Sequence, residues 1–172
     1  NSVNFTDGLD GLATGSLIIS FSAITIFTYI AGNSVYSSYL YLPFISNVGE
    51  IVVFISALIG SLLGFLWYNS NPAQIFMGDT GSIPMGATLG LVAILIKQEF
   101  LLLIIGGIFV IEALSVIAQI FSFRIFNKRI FLIAPIHHHF EKLGIKESKI
   151  VIRFWIIGII FSLIAIATLK IR

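Results

Sequence analysis

Five apolar stretches alternate with polar segments along this chain. They run over Leu12–Ala31, Ile51–Trp67, Ile83–Ile96, Phe100–Phe123 and Ile150–Leu169. Most approach the roughly 20 residues that a helix needs to cross about 30 Å of hydrocarbon. The third stretch is short and would also suit a re-entrant segment, but a polar tip at residues 97–99 follows it and the apolar pattern then resumes. The pattern predicts an all-α, polytopic membrane helical bundle with five transmembrane helices.

Composition supports this prediction. Hydrophobic residues make up 58% of the 172 residues and charged residues only 10%, whereas soluble domains carry about 25% charged residues. Cysteine is absent from the chain, which excludes disulfides and thiol catalysis within it. The sequence begins at Asn1 with neither an initiator Met nor a signal-peptide pattern, so we expect it to be part of a longer protein.

Three polar segments interrupt the apolar stretches: the first at Asn4–Gly11, the second at Asn69–Ser82 and the third at Ala134–Glu141. Two crossings separate each segment from the next, so all three should lie on the same side of the membrane. Seven of the ten Lys and Arg residues lie between Phe123 and Phe154. The positive-inside rule places that loop, and with it all three segments, on the cytoplasmic face.

In the first segment, Asn4, Asp7 and Asp10 recur at every third position. If the segment is helical, they fan across about a third of the helix circumference. Two carboxylates and an amide on one face can hold a metal, orient a sugar or nucleotide, or move a proton. Capping of a helix N-terminus would explain one of these residues, but not all three.

The second segment ends where an apolar stretch begins. Gly78 and Gly81 allow backbone to approach a ligand closely, and Thr80 and Ser82 near a helix N-terminus suit an anionic phosphate. Asp79 is placed to hold Mg²⁺ that bridges such a phosphate, with helix capping as the alternative. Phe76 could stack on a base, although a lone aromatic is more often a core or interfacial residue.

Histidines dominate the third segment, at His137, His138 and His139. Zinc ligands usually have spacings such as i, i+4, so a structural zinc site is disfavoured. The histidines suit hydrogen bonding to phosphate or sugar, or proton transfer near neutral pH, and the alternative is an exposed loop tract.

Within the fourth apolar stretch, Glu112, Ser115 and Gln119 lie on one helical face. A carboxylate is costly in hydrocarbon, so Glu112 should face the bundle interior, where hydrogen bonding between helices is its expected role. Gln119 lies nearer the cytoplasmic end and could reach a ligand.

The three polar segments together resemble the phospho-N-acetylmuramoyl-pentapeptide transferase family. The first two motifs also occur across the wider superfamily of polyprenyl-phosphate N-acetylhexosamine-1-phosphate transferases. The run Pro-Ile-His-His-His-Phe-Glu at 135–141 is more selective and points to the muramoyl-pentapeptide branch. The resemblance covers residues 1–172 as the C-terminal portion of a single integral membrane transferase domain, the last five of the family's ten transmembrane helices. Because the family's paired aspartates lie upstream, we expect the chain to be inactive alone.

This resemblance implies transfer of phospho-MurNAc-pentapeptide from UDP-MurNAc-pentapeptide to undecaprenyl phosphate, with Mg²⁺, forming lipid I and UMP for peptidoglycan. It implies a catalytic set of Asp7, Asp79 and His138, with Asp79 as the Mg²⁺ ligand. The substrate-binding positions it implies are Asn4, Asp10, Asn69, Phe76, Gly78, Gln119, His137 and His139. Phe76 would stack on the uracil, and the histidines would lie near the sugar phosphate.

The family resemblance also implies a multi-pass protein of the bacterial inner membrane, embedded in the lipid bilayer as a homodimer, with no nucleic acid partner. The reaction could proceed in one step or through a covalent aspartyl intermediate, and the one-step route is more economical because the lipid phosphate is already an anionic nucleophile.

Two other functions compete. A polyprenyl-phosphate GlcNAc-1-phosphate transferase would share the chemistry and differ in the sugar. A membrane transporter or scaffold would use its polar residues to line a pathway, but transporters place such residues near the middle of the bilayer. The clusters of this chain lie at the ends of the spans, which favours chemistry on a lipid headgroup.

Overall fold

A computed structural model describes residues 1–170, and the architecture over that range is entirely helical. The α-helices are α1 (Ser2–Thr6), α2 (Leu12–Ala31), α3 (Ser34–Tyr39), α4 (Ile51–Asn69), α5 (Gly78–Leu95), α6 (Glu99–Ile105), α7 (Gly107–Phe126), α8 (Ile136–Lys142) and α9 (Glu147–Ala167). Short 3-10 turns precede α4 and follow α9. The all-α prediction is confirmed.

Four helical segments of the described chain are long and apolar enough to cross a membrane: Leu12–Ala31, Val48–Asn69, Gly107–Phe126 and Glu147–Lys170. They coincide with the first, second, fourth and fifth predicted spans. A polytopic membrane bundle is therefore confirmed, because these helices can satisfy their backbone hydrogen bonds internally within lipid.

The third predicted span differs from expectation. Residues 83–96 lie within α5, which is not among the four apolar segments because its first turns carry Asp79, Thr80 and Ser82. Its 18 residues nevertheless reach about 27 Å at the helical rise. The predicted helical hairpin after the polar tip is present, because α6 and α7 return the chain to the end from which α5 started.

The fourth predicted span is not one continuous helix. It is divided at Gly106 into α6 and α7, and the backbone there leaves helical geometry at φ −87° and ψ 21°. Glycine suits this position because a Cβ atom would lie only 2.9 Å from the Leu102 carbonyl oxygen. The longer part, α7, carries the polar face predicted for Glu112, Ser115 and Gln119.

The core is organised around α2, which packs against α4, α5, α6 and α9. About 61% of the apolar span of α2 is buried, against 11% of the span that contains α4. Phe21, Ile24 and Phe27 are among its fully enclosed side chains. The outer faces of α4, α7 and α9 expose Ile, Leu and Phe, as expected of helices that contact lipid or another membrane-embedded partner. Because α2 starts immediately after the first polar segment, the core fixes the position of that segment.

Candidate active site

The three polar segments meet at one end of the bundle. Asn4 of the first segment contacts Asp79 of the second, and Asp7 contacts Gly78. Gly8 of the first segment lies against the ring of His137 in the third. The convergence predicted from counting membrane crossings is thus present in the fold.

The first segment is helical only at its beginning. Helix α1 ends at Thr6, Asp7 follows with non-helical backbone angles, and Gly11 adopts a left-handed φ of 77° where α2 begins. The assumption that Asn4, Asp7 and Asp10 share one helical face is therefore wrong, because the glycine-rich turn redirects the chain after Thr6. The turn instead sends the three polar side chains to separate partners.

Asn4 joins the first segment to the start of α5. Its amide nitrogen donates to Oδ1 of Asp79 over 2.6 Å and to Oγ of Ser82 over 3.0 Å. The Ser82 hydroxyl in turn donates to the carbonyl of Gly78 over 2.9 Å. Asn4 therefore orients one oxygen of Asp79 and leaves this exposed carboxylate with further acceptor capacity.

Asp7 approaches the same helix start from the other side. The backbone N–H of Gly78 donates to Oδ2 of Asp7 over 2.9 Å. Burial raises the pKa of Asp7 above its usual value of 3.8, the Gly78 hydrogen bond opposes that shift, and the negative charge of Asp79 adds to it. Asp7 and Asp79 together form an electronegative site suited to a cation.

We expect Asp7→Asn to raise the melting temperature of the full-length protein at pH 7 in magnesium-free detergent. Because the folded-state pKa of Asp7 lies above its unfolded value, its ionisation destabilises the fold once the pH exceeds both values. The asparagine oxygen can still accept the Gly78 N–H. The gain should shrink as the pH falls toward 3.8, the ordinary value.

Thermal unfolding measured between pH 4 and pH 8 would check this. Glu50→Gln serves as the control, since Glu50 is an exposed carboxylate next to the start of α4, away from the site. A gain for Asp7→Asn that stays constant across this pH range would contradict the prediction.

Asp10 fastens the first segment to two other elements. Its Oδ2 accepts from the Ala73 backbone N–H over 2.9 Å and from the Asn71 amide over 3.2 Å. Its backbone N–H donates to Oε1 of Glu147 over 2.7 Å, and Asn71 also donates to Glu147. Asp10 thus helps to hold the loop before α5 against the start of α9.

Asn69 and Phe76 occupy opposite environments in the second segment. Asn69 is buried, accepts from the Thr14 hydroxyl over 2.6 Å and donates to the Ile75 carbonyl over 2.9 Å. It therefore shapes the loop over 70–77 from within. Phe76 is 76% exposed, which leaves its ring free to stack on a planar group.

The three histidines lie in different environments. His137 is fully buried against α7, and Nδ1 of His138 lies 2.9 Å from Oε2 of Glu141 on a partly exposed surface. Nδ1 of His139 accepts from the Leu132 backbone N–H over 3.2 Å. Of the three, His138 is the one whose ring is both near Gly8 and accessible.

Gln119 holds the loop that leads into α8. Its carbonyl oxygen accepts from the backbone N–H groups of Ile130 and Phe131, and its amide donates to the Phe131 carbonyl over 3.0 Å. Ser122, one turn later, donates to the Lys128 carbonyl. In this arrangement the amide of Gln119 is engaged with backbone, and a contact with a nucleoside stays a prediction.

Residues beyond those predicted also build the site. Glu147 and Asn71 each bridge two of its parts. From the sequence, Glu147 in the first turn of α9 would be expected only to interact favourably with the helix dipole. Its partner Asp10 is 137 positions away, so no local signal identified it.

Carboxylate oxygens at the start of α5 are suitable ligands for a hard divalent cation. Within residues 1–170, no cluster of three or more His, Asp or Glu side chains could hold a metal unaided. A cation beside Asp7 and Asp79 would complete its coordination with other oxygen ligands, for which Mg²⁺ commonly uses substrate phosphates and water.

Comparison with known families gives one match over much of the chain. The family described as Glycosyl transferase family 4 matches residues 1–97. That range contains the first two polar segments and ends just after α5.

Individual relatives match along the whole chain. Identity is 60% over 173 residues to a protein of Brachyspira hyodysenteriae, 56% over 172 residues to one of Campylobacter lari, and 57% over 173 residues to one of Desulfotalea psychrophila. Each of the three is called phospho-N-acetylmuramoyl-pentapeptide-transferase. The matches cover 100% of this chain but 45%, 49% and 48% of those proteins, respectively. The chain thus spans about half the length of the curated relatives it matches.

Proposed function

The chain belongs to glycosyl transferase family 4, and on that premise we propose that it is the C-terminal, site-bearing part of a phospho-N-acetylmuramoyl-pentapeptide transferase. The complete enzyme would transfer phospho-MurNAc-pentapeptide from UDP-MurNAc-pentapeptide to undecaprenyl phosphate, forming lipid I and releasing UMP. High identity to relatives of that name supports the choice of reaction.

The observation that carries this proposal is the meeting of Asp7, Asp79 and Asn4 at the N-terminus of α5. A helix N-terminus favours phosphate through its free N–H groups and its dipole. Two carboxylates beside it would repel a phosphate unless a cation lies between them, so this combination suits a metal-bridged phosphate. Its position at the end of apolar helices brings it to the depth of a lipid headgroup.

Mg²⁺ is the cation we propose, held by Asp79 with Asp7 nearby. When bound, it would neutralise phosphate charge and bring donor and acceptor phosphates together. The residues of the chain have separate tasks: Asn4 orients Asp79, Asp10 holds the loop that carries Phe76, and Phe76 stacks on the uracil. Asp7, which accepts the Gly78 N–H at the start of α5, places a second carboxylate beside the phosphates.

We propose a one-step transfer. An oxygen of undecaprenyl phosphate attacks the sugar-bearing phosphorus of the donor, and the bond from that phosphorus to the UMP oxygen breaks. His138, partly exposed near Gly8, is placed to donate a hydrogen bond to the sugar phosphate. Isolation of a phospho-sugar covalently attached to Asp7 or Asp79 during turnover would replace this route with a two-step one.

An assay of the full-length protein tests the proposed function. Purified enzyme should release UMP from UDP-MurNAc-pentapeptide in the presence of undecaprenyl phosphate and Mg²⁺, and UDP-GlcNAc should react far more slowly. Preference for UDP-GlcNAc would instead assign the protein to the polyprenyl-phosphate GlcNAc-1-phosphate transferases. Failure to release UMP from either donor would reject transferase activity.

We further propose that the protein is a homodimer in the bacterial inner membrane and that its site faces the cytoplasm. The support for orientation is the concentration of basic residues in the 124–153 region. The exposed rings of Tyr36, Tyr39 and Tyr41 at the opposite end support a dimer, because exposed aromatic side chains suit an interface. Cross-linking of the full-length protein in membranes would test the dimer.

Cysteine labelling would test the orientation. Ser38 and Ser148 are both exposed. Ser38 lies in α3, past the C-terminal end of α2, whereas Ser148 lies in the first turn of α9, at the end of the bundle that holds the site. In a full-length protein freed of other cysteines, Ser38→Cys should react with an impermeant maleimide added outside the inner membrane, and Ser148→Cys should react only after permeabilisation. Labelling of both positions from the same side would contradict the orientation.

A further inference from the structure

Glu112 and His137 form a fully buried pair beneath the site. Both residues are 0% exposed, and Nδ1 of His137 lies 3.0 Å from Oε2 of Glu112. Glu112 belongs to α7 and His137 to α8, so the pair joins two helices that are separated by a loop. Ser115 reinforces the junction, because its hydroxyl accepts from the Ile136 backbone N–H over 3.0 Å.

Within residues 1–170, the side-chain oxygens of Glu112 and the ring nitrogens of His137 lack well-formed hydrogen bonds. Among the residues that the structure describes, neither carboxylate oxygen of Glu112 and neither ring nitrogen of His137 has a hydrogen bond of good geometry. A buried carboxylate without a donor is strongly unfavourable. Nδ1 of His137 lies 3.0 Å from Oε2 of Glu112, within hydrogen-bonding distance, and can supply the donor that this carboxylate lacks.

The other ring nitrogen of His137 faces the first polar segment. A Cβ atom placed on Gly8 would overlap Nε2 of His137 and would come within 3.2 Å of Nε2 of His138. The rings of His137 and His138 lie side by side with centroids 4.2 Å apart. The orientation of the buried ring therefore sets how closely the accessible His138 approaches the loop between Asp7 and Asp10.

We propose that Glu112 is a positioning residue for the histidine segment. Its carboxylate accepts a hydrogen bond from Nδ1–H of His137, which fixes the ring with Nε2 toward Gly8 and thereby sets how His138 approaches Gly8, the residue next to Asp7. In this role Glu112 acts through His137 and does not itself contact substrate. The kinetic consequence rests on the proposed transferase function, whereas the hydrogen bond itself does not.

Nitrogen-15 NMR of the full-length protein, labelled at histidine and reconstituted in lipid nanodiscs, tests the pair. The His137 signals are assigned by their loss in His137→Gln. The wild-type protein should show a protonated Nδ1, Glu112→Leu should shift this signal, and Glu112→Gln should retain it because the amide oxygen still accepts. Glu99→Leu, which removes an exposed carboxylate from the start of α6, should leave it unchanged.

Kinetics provide the second measurement. Glu112→Leu should lower kcat by about 10- to 100-fold, the usual effect of removing a residue that orients a functional side chain, while KM for the UDP-sugar stays within about threefold. Glu112→Gln should recover part of kcat. An unchanged Nδ1 signal in Glu112→Leu, or no recovery in Glu112→Gln, would overturn the proposal. If the wild-type protein transfers neither UDP-sugar, the proposed function fails, and the NMR result still decides the pair.

Discussion

Asp79→Asn in the full-length protein is expected to lower turnover by at least about 100-fold and to leave membrane insertion and melting temperature nearly unchanged. Coordination to a metal ion supplies several kcal/mol of charge stabilisation in the transition state, and each tenfold in rate corresponds to about 1.36 kcal/mol. The substitution replaces the anionic ligand with a neutral amide of the same shape.

The fold should tolerate this change because Asp79 is exposed and the oxygen of an asparagine can still accept the hydrogen bond from Asn4. Glu50→Gln, which neutralises an exposed carboxylate away from the site, should retain wild-type turnover. Release of UMP measured across a magnesium titration is the decisive experiment. An Asp79→Asn protein with near wild-type turnover would show that the metal assignment is wrong.

Gly8→Ala is the second change for which we expect a large effect, a loss of about 100-fold in kcat. The added methyl group would overlap Nε2 of the buried His137. Because His137 is enclosed by α7 and α8, the ring cannot move aside freely, and the first polar segment must shift by roughly 1 Å. Displacement on this scale can cost about 100-fold in rate even when no catalytic group is removed.

A matched substitution separates this effect from a general intolerance of alanine. A Cβ atom on Gly158 in α9 would lie 3.5 Å from Ile108 Cγ1 and 3.7 Å from Ile19 Cδ1, which is ordinary contact. Gly158→Ala should therefore retain activity. If Gly8→Ala has wild-type turnover and an unchanged His137 NMR spectrum, the close approach is not functionally important.

Much of the architecture follows from local pattern. The apolar stretches at 12–31 and 51–67 have the length and hydrophobicity typical of a membrane-spanning helix. The observed helices α2 and α4 match them closely. Burial of Glu112 was likewise predictable, because an ionisable group within an apolar helix must face protein or water rather than lipid. These inferences depend on the free energy of transferring side chains between water and hydrocarbon. That free energy can be read from each short stretch of sequence without knowledge of the rest of the chain.

Other predictions depended on backbone direction and were less successful. Periodicity suggested one helical face for Asn4, Asp7 and Asp10, but the chain turns after Thr6. The fourth span appeared continuous, yet it is broken at Gly106. A glycine permits such departures without requiring them, so the sequence alone does not indicate which glycines are used to redirect the chain.

The individual roles of the polar side chains also could not be predicted without the tertiary structure. His137, His138 and His139 are chemically identical neighbours, yet one is buried on Glu112, one is accessible beside Glu141 and one caps the Leu132 backbone. Gln119 was a candidate for ligand binding, and its amide is bound to a loop 11 and 12 positions away. Sequence identifies which groups could participate, whereas the partners of each group come from distant parts of the chain.

The sequence by itself determined that this protein is a helical membrane bundle with three polar segments at one end, because hydrophobicity and span length act locally and crossings can be counted. Only the tertiary structure decided how those segments divide their work: Asn4 and Asp7 meet the start of α5, Asp10 meets α9, and His137 meets Glu112. These pairings depend on the packing of α2 against its neighbours. Such packing is a cooperative property of the whole chain and cannot be assigned to any one segment.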